Sequence, residues 1–314
     1  MDDTIVEIKN VTEKILDNVE KVIIGKRDMI ELAVIALISS GHLLIEDAPG
    51  VGKTMLARSL ARSLGCTFKR IQFTPDMLPG DITGVSIYNQ KTDNFEFRPG
   101  PVIAQIVLAD EINRATPKVQ SALLECMEEK QITVDGITHR MPEPFHVLAT
   151  QNPIEYEGTF PLPETELDRF TLRLSLGYPS VSDAITIITK QQYRHPIEQL
   201  ESVVTSDDFK MLQEAVKNIY VDDLIKQYIA TMVEATHNHP SIYLGASPRA
   251  SLALFRTAQA RALLQGRDYV WPDDIKILAV PVIAHRLIVR LTDSSQDRSG
   301  RAIVEELIET VPVP

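Results

Sequence analysis

Glu46 to Thr54 read Glu-Asp-Ala-Pro-Gly-Val-Gly-Lys-Thr. Two glycines ahead of a Lys-Thr pair suit phosphate, because glycine lets backbone N–H groups approach its oxygens. In this setting Lys53 bridges β- and γ-phosphates and the Thr54 hydroxyl is a Mg²⁺ ligand. The expected phosphate contacts run through Pro49, Gly50, Val51, Gly52, Lys53, Thr54 and Met55. The strict pattern has glycine at position 47, where this chain has Asp47. That position begins the loop rather than cradling phosphate, so the departure is tolerable. Farther along, Ile106 to Glu111 read Ile-Val-Leu-Ala-Asp-Glu, an apolar strand ending on two carboxylates. Asp110 suits Mg²⁺, held through water. Glu111 suits the polarising of an attacking water. The two motifs together require a nucleoside triphosphate, with ATP and Mg²⁺ as the expected cofactors.

Three further residues belong with this chemistry. Asn152 follows an apolar strand and carries an amide that can reach a γ-phosphate or a water. Arg169 begins the segment Phe170–Leu174, expected to be a parallel strand. It therefore stands at the sheet edge opposite the nucleotide, about 16 Å away for five residues. From there it serves a neighbouring copy's phosphate, as an arginine finger supplied in trans. Arg249 lies in the first turn of a helix that Ser247 starts, where a cation opposes the helix dipole. An anionic γ-phosphate would repair that mismatch. Glu125, Glu128 and Glu129 read as a solvated helix face.

These residues need a scaffold that brings strand ends together. Helical patterns cover Val11–Val22 and Met29–Ser40. A short strand, Leu43–Ile45, enters the glycine loop, and the helix after it carries Leu56, Leu60 and Leu64 before Gly65 stops it. Strands are expected at Lys69–Phe73, Gln105–Ala109, Phe145–Thr150 and Phe170–Leu174. Strands separated by helices predict a mostly parallel sheet covered on both faces, an α/β P-loop fold. Gly84–Phe97 and Gln131–Met141 alternate like β-hairpins, the second with Asp135-Gly136 at its turn. Tyr88, Phe95 and Phe97 in the first insertion either line a pore or pack between strands.

Beyond Gly177-Tyr178-Pro179 the pattern changes. A helix is expected over Ser182–Tyr193, then a link at His195-Pro196. From Thr205 the pattern is helical, with Ser247-Pro248 as N-cap and first helical residue and a last helix over Asp273–Leu287. The division is an α/β nucleotide-binding domain at 1–178, a linker at 179–204 and a small all-helical lid domain at 205–314.

Composition narrows the classes. The 314 residues suggest about two domains, and 44% hydrophobic content is enough to bury a core. A net charge of −11 argues against broad nucleic-acid binding. Leu32–Ile45, broken by Ser39-Ser40-Gly41-His42, is too short to span a bilayer. The acidic start, Met-Asp-Asp-Thr-Ile-Val-Glu, lacks the apolar core of a signal peptide. Cys66 and Cys126 form no disulfide or metal pattern, which fits a reducing cytoplasm. The seven histidines show no zinc-ligand spacing.

The ordered motifs resemble the MoxR family of AAA+ ATPases. They are Asp110-Glu111-Ile112-Asn113-Arg114-Ala115, Ala149-Thr150-Gln151-Asn152-Pro153, Leu162-Pro163-Glu164 with Leu167-Asp168-Arg169-Phe170, and Leu244-Gly245-Ala246-Ser247-Pro248-Arg249-Ala250. The resemblance runs from about Val22 to Leu287. It implies Walker A at Lys53 and Thr54, Walker B at Asp110 and Glu111, sensor 1 at Asn152, the arginine finger at Arg169 and sensor 2 at Arg249. It further implies that Val22, Ile23, Ile24 and Gly25 contact adenine. The two hairpins resemble the helix-2 insert and the pre-sensor-1 hairpin. Family members imply a homo-oligomeric, hexameric ring that acts as a chaperone-like motor on a protein client. They also imply partners with a von Willebrand factor A domain, and work in metal-cofactor insertion or complex maturation. Two other functions share the scaffold, a nucleic-acid motor and a nucleotide-gated scaffold that times partner release. The acidic charge speaks against the first.

Overall fold

The computed structural model describes residues 3–153, 158–290 and 299–314. Helices α1 (Asp3–Glu20) and α2 (Arg27–Ile38) precede β1 (Leu43–Glu46). Then come α3 (Lys53–Ser63), β2 (Phe68–Gln72), α4 (Pro79–Thr83) and the hairpin β3 (Gly84–Asn89)–β4 (Asn94–Pro99). Next are β5 (Ile106–Asp110), α5 (Pro117–Glu129), the hairpin β6 (Gln131–Val134)–β7 (Ile137–Arg140) and β8 (His146–Gln151). The short α6 (Glu164–Leu167) and β9 (Leu172–Leu174) complete the first unit.

Strands β2, β5, β8, β1 and β9 lie in that order, each parallel to its neighbour. Side chains alternate across a strand, so the apolar runs divide between two faces. Leu43, Ile45, Ile106, Leu108 and Leu148 join one core with α1, α2 and α3. Leu44, Val107, Ala109, Val147 and Ala149 join the other, under α5 and the hairpins. Both faces are covered, as continuous apolar strands predict. The order makes β1 the place where consecutive connections diverge, so its carboxyl end opens a crevice.

Both hairpins form as expected. Asp135 (φ 50°) and Gly136 (φ 78°) give the second one the turn that Asp-Gly favours. Phe97 is half-buried and stacks on His139, ring centroids 3.9 Å apart, so the insertions pack on each other. Tyr88 and Phe95 meet edge to face and stay exposed.

The second unit begins after α7 (Val181–Gln191). It contains α8 (Ser206–Val216), α9 (Asp223–Asn238), β10 (Ile242–Leu244), α10 (Pro248–Leu264), α11 (Pro272–Ile283), β11 (Ile288–Val289) and α12 (Gly300–Thr310). Its apolar residues continue the core of α1 and α2, so the lid rests on that layer. Three details correct the sequence reading. The lid carries an antiparallel strand pair, β10 with β11, too short for alternation to reveal. The last expected helix stops at Ile283 and tightens into a 3₁₀ turn at Ala284–Arg286, which carries Arg286 to Asp168, 2.8 Å away. Strand β9 starts at Leu172 because Arg169 and Phe170 sit in a turn, their amides donating to Glu166 and Leu167.

Candidate nucleotide-binding site

The glycine loop joins the carboxyl end of β1 to α3. Gly50 (φ 84°) and Gly52 (φ 100°) hold left-handed conformations that side chains resist, and a Cβ on Gly50 would meet open space. The loop's backbone is therefore unobstructed on that side, as phosphate approach demands. Lys53 is buried, and its Nζ donates to the carbonyls of Asp47 (2.6 Å) and Gln151 (3.2 Å). Those carbonyls tie the lysine between the ends of β1 and β8.

Asp47 has a job the motif alone did not reveal. One carboxylate oxygen accepts from the Gly177 amide (2.7 Å) and the Ser175 hydroxyl (3.0 Å). The other accepts from the Ala48 amide, 3.0 Å away. The residue that departs from the strict pattern thus fastens the loop to the segment between β9 and α7. Val22 and Ile23 are buried beside it, and a Cβ on Gly52 would lie 3.8 Å from the Ile23 side chain. Lys26 Nζ donates to the Tyr178 carbonyl at 2.9 Å. Segment 22–26 is therefore brought against both the loop and the start of α7.

Asp110 and Glu111 leave β5 at the same sheet edge. The buried Thr150 hydroxyl, on β8, donates to Asp110 Oδ1 (2.6 Å) and accepts from the Glu111 amide (2.8 Å). Glu111 sits at φ 56°, an uncommon conformation for a side-chain-bearing residue. The edge strand β2 faces both carboxylates. Arg70 donates to Asp110 Oδ2 from Nε (2.9 Å) and Nη2 (2.6 Å). Gln72 Nε2 donates to Glu111 Oε2 at 2.7 Å, and Arg114 Nη1 reaches the same oxygen at 3.1 Å. Asn152, buried just past β8, accepts on its carbonyl from Asn113 Nδ2, 3.4 Å away.

Thr54 Oγ1 lies 3.5 Å from Asp110 Oδ2. Two hard oxygens converging beside a phosphate loop suit Mg²⁺. That ion is usually held by one or two carboxylates plus substrate phosphates rather than by an all-protein cage. In keeping with that, no three His, Cys, Asp or Glu side chains cluster as a metal cage among the described residues.

Arg169 and Arg249 lie elsewhere. The Thr171 amide donates to the His42 carbonyl just before β1, so Arg169 stands at the opposite edge of the sheet, as its position in sequence implies. Its Nη1 reaches Glu128 Oε2 (3.0 Å) and the Leu124 carbonyl (2.8 Å). Arg249 pairs with Glu128 Oε1. The structure therefore gathers Lys53, Thr54, Asp110, Glu111 and Asn152 at one edge, and Arg169 with Arg249 at the other. Glu128 stays on the exposed face of its helix, as expected, but is not left to solvent alone, since both arginines pair with it. Asp168, next to Arg169, serves Arg286 and the Ser247 hydroxyl (2.7 Å) instead.

Thr150, Arg70, Gln72 and Glu128 carried no assigned role in the sequence. A threonine inside an apolar strand and polar residues on an edge strand are faint signals for the first three. Nothing local marked Glu128.

The chain is similar to known proteins over nearly its whole length. Residues 42–172 match the model of the ATPase family associated with various cellular activities (AAA), and residues 234–307 match the AAA lid domain. The chain is 54% identical over 301 residues to the uncharacterized protein YeaC of Bacillus subtilis, covering 96% of this chain and 94% of that one. It is 40% identical to chaperone MoxR1 of Mycobacterium tuberculosis, covering 96% and 82% of the two chains. It is 30% identical to protein MoxR of Methylorubrum extorquens, covering 94% and 93%. A solved structure of a candidate ATPase from Cytophaga hutchinsonii superposes with a TM-score of 0.92 at 37% identity, covering 99% of this chain and 97% of that one.

Proposed function

This chain belongs to the MoxR family of AAA+ ATPases, and from that premise we propose that it works as a ring of identical subunits, six in number. Each triphosphate is sandwiched between one copy's glycine loop and the next copy's arginines. The observation that carries this reading is the separation of Lys53 from Arg169 and Arg249 across the sheet. Both arginines reach phosphate from a neighbour more readily than within their own chain.

In this mechanism the loop amides from Gly50 to Met55 and the Lys53 ammonium hold the β- and γ-phosphates. Val22 to Gly25 border the base. Thr54 and Asp110 would hold Mg²⁺, which would neutralise phosphate charge. Glu111 orients and polarises the attacking water, and Asn152 supports it. Arg169 and Arg249 of the adjoining subunit stabilise charge that grows in the transition state. Because Arg249 is carried by the lid, loss of the γ-phosphate changes how one lid is held against the next subunit.

The chaperone name of the Mycobacterium tuberculosis relative supports a remodelling output on a protein client. We assign to that output the maturation of protein complexes, metal-cofactor insertion included, with a von Willebrand factor A domain partner, in the cytoplasm. Among the described residues no helix is long and apolar enough to cross a membrane.

Mixing two inactive variants tests the seam. Lys53→Ala lacks a working loop and Arg169→Ala lacks its finger, so mixed rings regain seams in which both parts are intact. Activity should return on mixing, and specific activity of the native chain should rise with protein concentration. Activity that stays absent on mixing, together with a native rate independent of dilution, would sink the shared site. Glu111→Gln should keep nucleotide binding and lose turnover, and co-purification from that variant identifies the client.

A further inference from the structure

Two arginines meet on one carboxylate at the edge far from the glycine loop. Glu128 stands in the last turn of α5, and its oxygens are divided between them. Oε2 takes Arg169 Nη1 at 3.0 Å and Oε1 takes Arg249. One negative charge faces two positive ones. The imbalance is not corrected nearby. Arg256 and Arg286 line the same cavity of about 230 Å³, and Asp168 is already bound to Arg286. Arg169 Nε is buried with no partner in the described residues, so this guanidinium still has a proton to give. A phosphoryl group offers more charge and more acceptor oxygens than a carboxylate, in a form that guanidiniums bind well.

We propose that Glu128 is a positioning residue that competes with phosphate for Arg169 and Arg249. Within a single subunit it keeps the two guanidiniums side by side and partly neutralised. At a seam, the neighbour's phosphate displaces it and takes over both. The exchange is cheap because all three side chains are partly exposed, at 39% for Glu128, 28% for Arg169 and 50% for Arg249. Glu128 belongs to the α/β domain and Arg249 to the lid. Displacement therefore also unfastens one tie between the two, while Asp168 keeps its bonds to Arg286 and Ser247. A neighbour's nucleotide is thus felt as a looser lid in the subunit that lends the arginines. This inference rests on the seam reading above.

The test is a dilution series of ATPase activity for the native chain and Glu128→Gln. Thermal melting checks that each is folded. Glu128→Gln keeps the side-chain shape and removes the competing charge. It should move the half-maximal protein concentration down about fivefold, since partly exposed pairs are individually weak. The plateau rate should change less than about twofold, because only assembly and not the transition state is altered. A purely structural Glu128 would instead lower the plateau or leave the midpoint in place, and either result overturns the inference. A native curve that is flat on dilution overturns the seam reading, and this inference with it. A steep native curve that Glu128→Gln does not shift overturns this inference alone.

Discussion

Arg70 grips the carboxylate of Asp110 with two donors, at 2.9 and 2.6 Å on the same oxygen. That oxygen is also the one nearest Thr54, 3.5 Å away. A guanidinium thus lies beside the two oxygens that fit a divalent cation. Cation and guanidinium compete for one negative charge, so removing Arg70 should favour the cation. For Arg70→Met the half-saturating Mg²⁺ concentration should fall about fivefold, the scale of one partly exposed ion pair. Mg²⁺ titration of fluorescent-nucleotide binding measures it, independently of turnover. An unchanged or raised requirement would show that Arg70 supports the site rather than competes for it.

Thr150 braces both acidic residues from the neighbouring strand. Thr150→Val removes the hydroxyl, leaving the Glu111 amide without its acceptor and Asp110 Oδ1 without the Thr150 donor. Groups that orient ligands from behind typically matter by about 10- to 100-fold. The loss should fall mainly on kcat, with KM for ATP little changed, because the glycine loop is untouched. Steady-state kinetics decides between this and a mainly KM effect.

Asp47 holds the loop to the segment after β9 through two hydrogen bonds, and its other oxygen accepts from the Ala48 amide within the loop. Asp47→Ala leaves the Gly177 amide without this acceptor, at a cost of about 1–3 kcal/mol. The melting temperature should fall and ATP should bind more weakly. Restoring the strict motif with Asp47→Gly should do the same, against the expectation from the pattern alone. Calorimetric melting together with nucleotide titration gives both quantities.

His42 and His146 form a buried neutral pair beneath the sheet. His42 Nε2 donates to the Met127 carbonyl, and its Nδ1 accepts from the Val147 amide. His146 Nδ1 donates to the Gly41 carbonyl, and its Nε2 accepts from Gln213 of α8. Burial pushes them down to about 3 and about 4, with His146 adding to the effect on His42 and Lys130 adding to it on both. The unfolded chain binds these protons first, so stability falls as pH drops below the ordinary histidine range. At pH 5 the two together should cost about 4 kcal/mol relative to neutral pH. Denaturant unfolding from pH 7.5 to 5 should show that decline, and His146→Gln should flatten it.

The amino-acid sequence by itself determined the chemistry and the scaffold. The glycine loop, the apolar strand ending on Asp110 and Glu111, and the alternation of strands and helices are local signals, set by backbone freedom and by the two-residue period of a strand. Arg169's place on the far edge was legible too, because strand direction in a parallel sheet follows from connectivity. Tertiary structure alone decided which charges meet. Glu128 and Arg249 are 121 positions apart, and Arg70 and Asp110 are 40 apart. Neither pairing follows from any local preference, since a charged side chain takes whichever partner the packing brings within a few ångströms. The buried histidines, the brace from Thr150 and the short strand pair in the lid are of the same kind. Each depends on contacts between segments whose nearness only the assembled core creates.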